Sequence, residues 1–189
     1  MKMKEAIKLT NVTMQSLVLC PFLVVVEDES HKTGANVIAV SYVGVLSERP
    51  PIIGIAVRPG RYSHGLLKKN REFTLNLPTS ELLKDLDYCG TFSGKKIDKV
   101  LVRSLRLESA DKVKAPMIKN SPINLECRIT RVMHLSKKGS SHDYFIADVL
   151  RAHRVKDFSL EEADLIVTAN YDYRLVGNNL GRAFKIWKK

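Results

Sequence analysis

No apolar run in this sequence approaches the ~20 residues that cross a bilayer, and the longest candidate, Leu17 to Val26, is interrupted by Cys20 and Pro21. A membrane span is therefore not expected. The basic start, Met1 to Glu5, is followed by no small-residue cleavage pattern, so secretion is not expected either. Cysteine is scarce: Cys20, Cys89 and Cys127 are an odd number, far apart, with no Cys-x-x-Cys pair to hold zinc or to act as a redox dithiol. Reduced thiols in a cytoplasmic protein are the expectation. The histidines, His31, His64, His134, His142 and His153, form no HExxH and no other spacing that puts several imidazoles on one helix face. No GxGxxG follows a strand to open a helix, and Gly90 and Gly94 fit no dinucleotide fingerprint. Ser141, His142 and Asp143 have the residue types of a hydrolytic triad, but sequence neighbours do not meet in that geometry.

What is present is an ordinary globular balance, 44% hydrophobic and 27% charged over 189 residues, which suits one domain with a substantial core. Lysine and arginine total 31 against 20 acidic residues, so the surface attracts anions such as nucleic acid, acidic proteins or phosphate-bearing small molecules. The excess is dispersed, and no helix-turn-helix, RNP-type strand or zinc finger accompanies it, which argues against nucleic acid.

The pattern predicts strands punctuated by short helices. Leu17 to Val26 and Ala35 to Tyr42 read as a hairpin around the polar turn Glu27 to Ser30. Ile52 to Val57, after Pro50 and Pro51, reads as a strand buried on both faces, with Gly54 marking a bend or a close approach. Ser63 is expected to cap a helix running to Lys69, with Leu66 and Leu67 inward, and Asn70 to end it. Glu72 to Leu77 is the next strand, and Thr79 or Ser80 is expected to cap a helix from Glu81 to about Tyr88. Ile123, Leu125, Cys127 and Ile129 alternate with Asn124, Glu126, Arg128 and Thr130, the mark of a half-exposed strand. Tyr144 to Val149 is its antiparallel partner across a turn at 137–141. Six strands without βαβ alternation predict a mainly β fold, an antiparallel barrel with short flanking helices.

Three segments have chemistry to offer. Asn36, Val37, Ile38, Ala39, Val40, Ser41 and Tyr42 form a strand whose small and branched residues let the backbone run close to a flat ring; plain strand core is the alternative. Arg58, Arg61, Ser63 and His64 gather before a helix start, where free amides and the dipole favour an anion, although a solvated basic loop would look the same. Thr91, Ser93, Gly94, Lys95, Lys96 and Lys99 supply hydroxyls and cations from a loop near two glycines.

In this order the segments resemble the flavin reductase-like family. The family's strand Asn-x-x-(small)-x-Ser-(aromatic) reads Asn36 to Tyr42, its Ser-x-x-Pro-Pro turn reads Ser47 to Pro51, its Arg-x-Ser-His loop reads Arg61 to His64, and its Ser-Gly-x-x-x-Asp-Lys loop reads Ser93 to Lys99. The resemblance extends from about Leu17 to Val176 and closes on Tyr171 to Gly177. It implies a six-stranded FMN-binding split barrel that pairs into a homodimer with the flavin between subunits. It also implies that NADH or NADPH passes hydride to flavin N5, with a flavin, a ferric complex or a redox protein as acceptor; an electron carrier that does not oxidise nicotinamide is the other activity it allows. By the same resemblance Asn36 and Ser41 hold the ring and ribityl chain, with Val37, Ile38 and Ala39 alongside. Ser47 holds the pyrimidine edge, and Arg61, Ser63 and His64 hold the phosphate, with Ser93, Gly94, Lys95 and Lys99 nearby. Tyr42 stands where relatives often carry tryptophan.

Overall fold

The computed structural model describes residues 17–135, 141–161 and 163–177. Seven strands form one antiparallel sheet in the order β3-β2-β6-β9-β10-β5-β4. These are β2 (Phe22–Glu27), β3 (Ala35–Val40), β4 (Val43–Glu48), β5 (Pro51–Val57), β6 (Glu72–Asn76), β9 (Ile123–His134) and β10 (Asp143–Arg154). The two ends of that order, β3 and β4, are joined through Ser41 and Tyr42 alone. Laid flat, the edges of seven strands stand about 29 Å apart, whereas the three Cα steps from Val40 to Val43 reach about 11 Å. The sheet has to roll until its edges meet. No ladder pairs β3 with β4 among the described residues, so the barrel is split along that seam, with the Ala56 amide donating to the Tyr42 carbonyl at 2.9 Å beside it.

The antiparallel split barrel expected from the sequence is thus present, with β4 as a strand beyond the six that were read. Its Val45 and Leu46 face outward and it carries a bulge between Val45 and Ser47, so it shows no period-two signal. A smaller sheet, β1 (Val18–Leu19), β11 (Ile166–Ala169) and β12 (Asp172–Leu175), and a short pair, β7 (Leu107–Glu108) with β8 (Met117–Ile118), complete the strands among the described residues. Helix α1 is Tyr62–Asn70, α2 is Leu83–Thr91 and α3 is Lys99–Arg103, with a 3-10 turn at Ser80–Leu82.

Two cores explain the apolar runs. Val24, Val26, Ile38, Val40, Ile55, Phe73 and Phe145 fill the barrel, with Leu67 of α1 packed among them and Leu66 against them. On the other face of β2 and β3, Leu23, Val25, Ala35 and Val37 pack against Leu82, Leu86 and Cys89 of the α2 region and Val100 of α3. Both faces of β2 and β3 are therefore buried, which is why Phe22 to Val26 reads as an unbroken apolar run.

Several local expectations are corrected. Ser63 is not a cap: Arg61 occupies that position without a side-chain bond, and Ser63 is buried inside α1. Neither Thr79 nor Ser80 caps the next helix; Thr79 makes no capping bond and the Ser80 hydroxyl donates to Asp164 at 3.0 Å. Asn124 and Glu126 are buried rather than exposed, because the segment around residues 111–118 covers their face of β9. Glu126 accepts from the amides of Lys112 and Val113 and from His153 Nε2 at 2.6 Å, and Asn124 donates to Asn76 at 2.7 Å. The hairpin β9–β10 also runs further than read, from Ile123 to His134 and from Asp143 to Arg154. Most of the expected turn at 137–141 lies outside the described residues.

Gly54 is a close approach, as its place in the strand suggested: a Cβ there would overlap the Tyr144 ring, which lies across β5 from the neighbouring strand β10. Gly54→Ala should destabilise the protein by about 1–3 kcal/mol, the usual range for overpacking. Urea unfolding read by far-UV dichroism checks this, and Gly60→Ala, where a Cβ meets open space, serves as the control.

Candidate functional site

The seam of the barrel opens into a cavity of about 450 Å³. Its floor is the chain from Ile38 to Tyr42, its side is Ala56 to Arg58, and Arg61, His142 and Tyr171 stand at its rim. A crevice beside it shares Ile38 and Arg61 and continues past Ser63 to Ser93, Gly94 and Lys99. Among the described residues no carboxylate lines either recess. The pair can take a ligand with an anionic end: small residues Ala39, Ser41 and Ala56 border the wider part together with Arg58, Arg61 stands where the two parts join, and Lys99 borders the crevice.

Arg61 sits at that junction because it immediately precedes α1, whose first turn carries no acidic residue and no side-chain cap. Uncapped amides and the positive end of the helix dipole favour an anion there. Asn36 and Ser63 brace the site from behind. Asn36 is fully buried and donates from Nδ2 to Ser63 Oγ at 2.7 Å, tying β3 to α1, while its Oδ1 has no partner. A Cβ on Gly94 would overlap that same carboxamide, so only glycine lets the loop lie against it.

Ile38, Ala39, Ser41, Tyr42, Arg61, Ser63, Ser93, Gly94 and Lys99 are therefore brought together, and other candidate residues are placed elsewhere. Val37 points into the second core, and Ser47 lies on β4 paired with Ile52, away from both recesses. Lys95 is exposed on the loop. His64 is buried, with Nε2 against Asp143 Oδ2 at 2.8 Å and its ring edge-on to Phe145 at 5.3 Å. Asp143 also takes His134 Nδ1 at 2.7 Å. Burial would raise the Asp143 carboxyl, but the bonds from His64 and His134 outweigh it and hold the group below its usual range.

Lys99 is buried too, and its ammonium donates to the carbonyls of Cys89 and Phe92 at 3.0 and 3.1 Å, fastening the end of α2. Burial brings it down to about 8, Cys89 opposes that fall, and Arg61 adds to it. An added anion at Arg61 would reverse part of this.

Arg58 and His142 were not singled out together by the sequence. Arg58 Nε approaches His142 Nε2 at 3.4 Å, and His142 meets the Tyr42 ring edge-on at 5.0 Å. Burial, then Arg58 and Arg61, push the His142 imidazole below its ordinary value, which favours the neutral ring, and its Nδ1 stands 2.8 Å from Ser141 Oγ. Its distance in sequence from the Arg61 loop left no signal for this placement; only the pairing of β10 with β5 brings it there.

The flavin reductase-like domain model matches residues 14–174. The chain belongs to this family. Among relatives of the flavin reductase-like chain is an uncharacterised protein of Archaeoglobus fulgidus, 39% identical over 115 residues, which are 61% of this chain and 63% of that one. An NADPH-flavin oxidoreductase of Streptomyces viridifaciens is 31% identical over 115 residues, 59% of this chain and 55% of its own length. Both matches thus span less than two thirds of the relative. Among solved structures, a flavoredoxin from Methanosarcina acetivorans superposes with a TM-score of 0.84 at 25% identity, covering 98% of each chain.

The three thiols separate by burial. Cys20, which lies inside the apolar run Leu17 to Val26, is exposed between β1 and β2, whereas Cys89 and Cys127 are buried. Burial pushes the Cys89 thiol up to about 11 even though Lys99 and Arg103 pull it down, so the cations do not make it a thiolate. Burial, with Glu126 adding, raises Cys127 further still. A thiol reagent at neutral pH should modify Cys20 alone in the folded protein and all three cysteines in denaturant. Mass spectrometry counts the adducts, and labelling of folded Cys89 would contradict this reading.

Proposed function

We propose that this chain is an FMN-dependent oxidoreductase that takes electrons from NADH or NADPH and passes them to a flavin or ferric acceptor. The observation that carries the reading is the joined pair of recesses at the barrel seam, lined by no carboxylate among the described residues, with Arg61 and the uncapped start of α1 at the junction. FMN, when bound, supplies the hydride-accepting ring and the one- or two-electron chemistry. Arg61 and the first amides of α1 bind the phosphate, with Ser63 and Ser93 beside them. Ser41 and the backbone from Ile38 to Tyr42 would border the ring, and a nicotinamide would approach past Tyr42 and His142, with Arg58 beside them.

The likeness to a flavoredoxin over 98% of the chain favours a second reading, an FMN electron carrier that does not oxidise nicotinamide. Anaerobic bleaching of bound flavin by NADH or NADPH separates the two: bleaching within the mixing time of a spectrophotometer supports the reductase, and none supports the carrier. We further propose a single domain in the cytoplasm that works as a homodimer. Val18, Tyr171, Tyr173, Leu175 and Val176 of the small sheet and its exit are exposed and would be covered by a second copy.

Arg61→Ala should weaken FMN binding at least tenfold and leave riboflavin binding nearly unchanged, since a charge-assisted bond to phosphate is worth ~1.5–3 kcal/mol. Fluorescence titration of both ligands checks this, and equal losses would mean Arg61 acts through the fold. Sedimentation of the flavin-loaded protein should give twice the 21.3 kDa chain mass, and a flavin-loaded monomer would overturn the dimer.

A further inference from the structure

His31 lies in the turn between β2 and β3, outside both recesses, with a side chain only 9% exposed. Its two ring nitrogens both face backbone carbonyls: Nδ1 stands 3.0 Å from Ala35 O, and Nε2 stands 2.7 Å from Gly94 O. Carbonyl oxygens only accept, and a neutral imidazole has one N–H and one lone pair. Both contacts are hydrogen bonds only when the ring carries two protons; a neutral ring would turn a lone pair on one of the carbonyls.

The surroundings suit the cation. Asp28 Oδ2 lies 3.6 Å from Nε2, and Asp98 Oδ1 lies 4.0 Å from Nδ1. Asp28 Oδ2 is buried and has no hydrogen-bond partner, while Oδ1 of the same carboxylate takes the amide and hydroxyl of Ser30. Asp98, at the start of α3, takes the amide and hydroxyl of Thr33. From α1 the Tyr62 ring stacks at 6.2 Å, its hydroxyl 3.2 Å from Ser30 Oγ. The ionisable groups that face His31 are thus Asp28 on its own turn, Asp98 on the loop and α3 side, and Tyr62 on α1.

The contact with Gly94 reaches the site. Gly94 packs on the Asn36 carboxamide, which in turn holds Ser63, two residues beyond Arg61. We propose that His31 is a proton-dependent latch, a positioning residue that fastens the Ser93–Gly94 loop against the anion seat when doubly protonated and releases it when neutral. In its bearing on FMN this rests on the function proposed above; the loop itself does not require that reading. The sign follows from the donors. At lower pH both bonds hold and the seat is closed; as pH rises and the ring loses a proton, one bond becomes a repulsive contact and the loop loosens.

Amide hydrogen exchange of the full chain without ligand, corrected for intrinsic rates, reads the latch directly. In wild type, peptides covering residues 93–98 should lose about tenfold in protection between about pH 6 and about pH 8.5, the least expected when one charge-assisted bond is lost. His31→Gln, which has no proton to lose, should show the same protection at both. The wild-type affinity for FMN, divided by that of the variant at each pH, should fall by the same factor, and this ratio cancels the titration of His142 and of the phosphate itself. Should the variant not fold, ¹⁵N shifts of the wild-type ring near pH 6 still decide, because two protonated nitrogens support the latch and one overturns it. Unchanged wild-type protection, or a variant that keeps the wild-type pH dependence, also overturns it. A wild-type protein that binds no FMN yet shows the pH-dependent loop would refute the cofactor reading and leave the latch standing.

Discussion

Ser41 and Tyr42 carry the chain from one edge of a seven-stranded sheet to the other, and that short link decides the rest of the molecule. The sheet cannot stay open when its edges are held two residues apart, so it closes around an apolar interior. Among the described residues no ladder crosses the seam beside this link, and it is there, between Ile38 to Tyr42 and Ala56 to Arg58, that the larger recess opens. Fold and site have one cause. A longer connection would relax the barrel and the pocket together.

How much of this the sequence discloses depends on whether a signal is local. Phe22 to Val26 and the alternation of Ile123 to Ile129 announce their strands because burial is periodic in the chain, and both strands are present. Glu126 and Asn124 mislead for a physical reason: their polar face is covered by a segment contributed from elsewhere and is satisfied by bonds to backbone and to His153 and Asn76, which no periodicity encodes. The motif loops were legible as groups, and Arg61, Ser63, Ser93 and Gly94 do converge. The individual tasks were less so. Asn36 and His64 have the chemistry of ligand contacts, yet the Asn36 Nδ2 is spent on Ser63 and His64 Nε2 on Asp143, because a side chain's partner depends on which strand lies opposite.

Charge shows the same division. The surplus of basic residues over the whole chain says only that anions are welcome. What selects one place is local: Arg58 and Arg61 precede a helix start that has neither an acidic residue nor a side-chain cap, in recesses lined by no carboxylate among the described residues. Lys99, which looks from sequence like one more cation for the anion, is turned to the carbonyls that end α2. Its ammonium therefore fixes the shape of the loop and adds its charge from behind.

That arrangement makes the seat's rigidity a matter of backbone carbonyls held by buried cations. Lys99 fastens Cys89 and Phe92, and His31 fastens Ala35 and Gly94, so the loop from Phe92 to Gly94 is gripped at both ends by groups that can lose a proton. Neutral donors would hold the same carbonyls with less desolvation cost. Cations hold them more strongly, and each stands near an anionic site, actual or proposed: Asp28 and Asp98 beside His31, the phosphate seat beside Lys99. An anion bound at Arg61 would offset the repulsion that Arg61 exerts on Lys99 and so tighten the grip of Lys99 on the loop that borders it. Ligand binding and loop order then reinforce one another through electrostatics alone, with no change of fold.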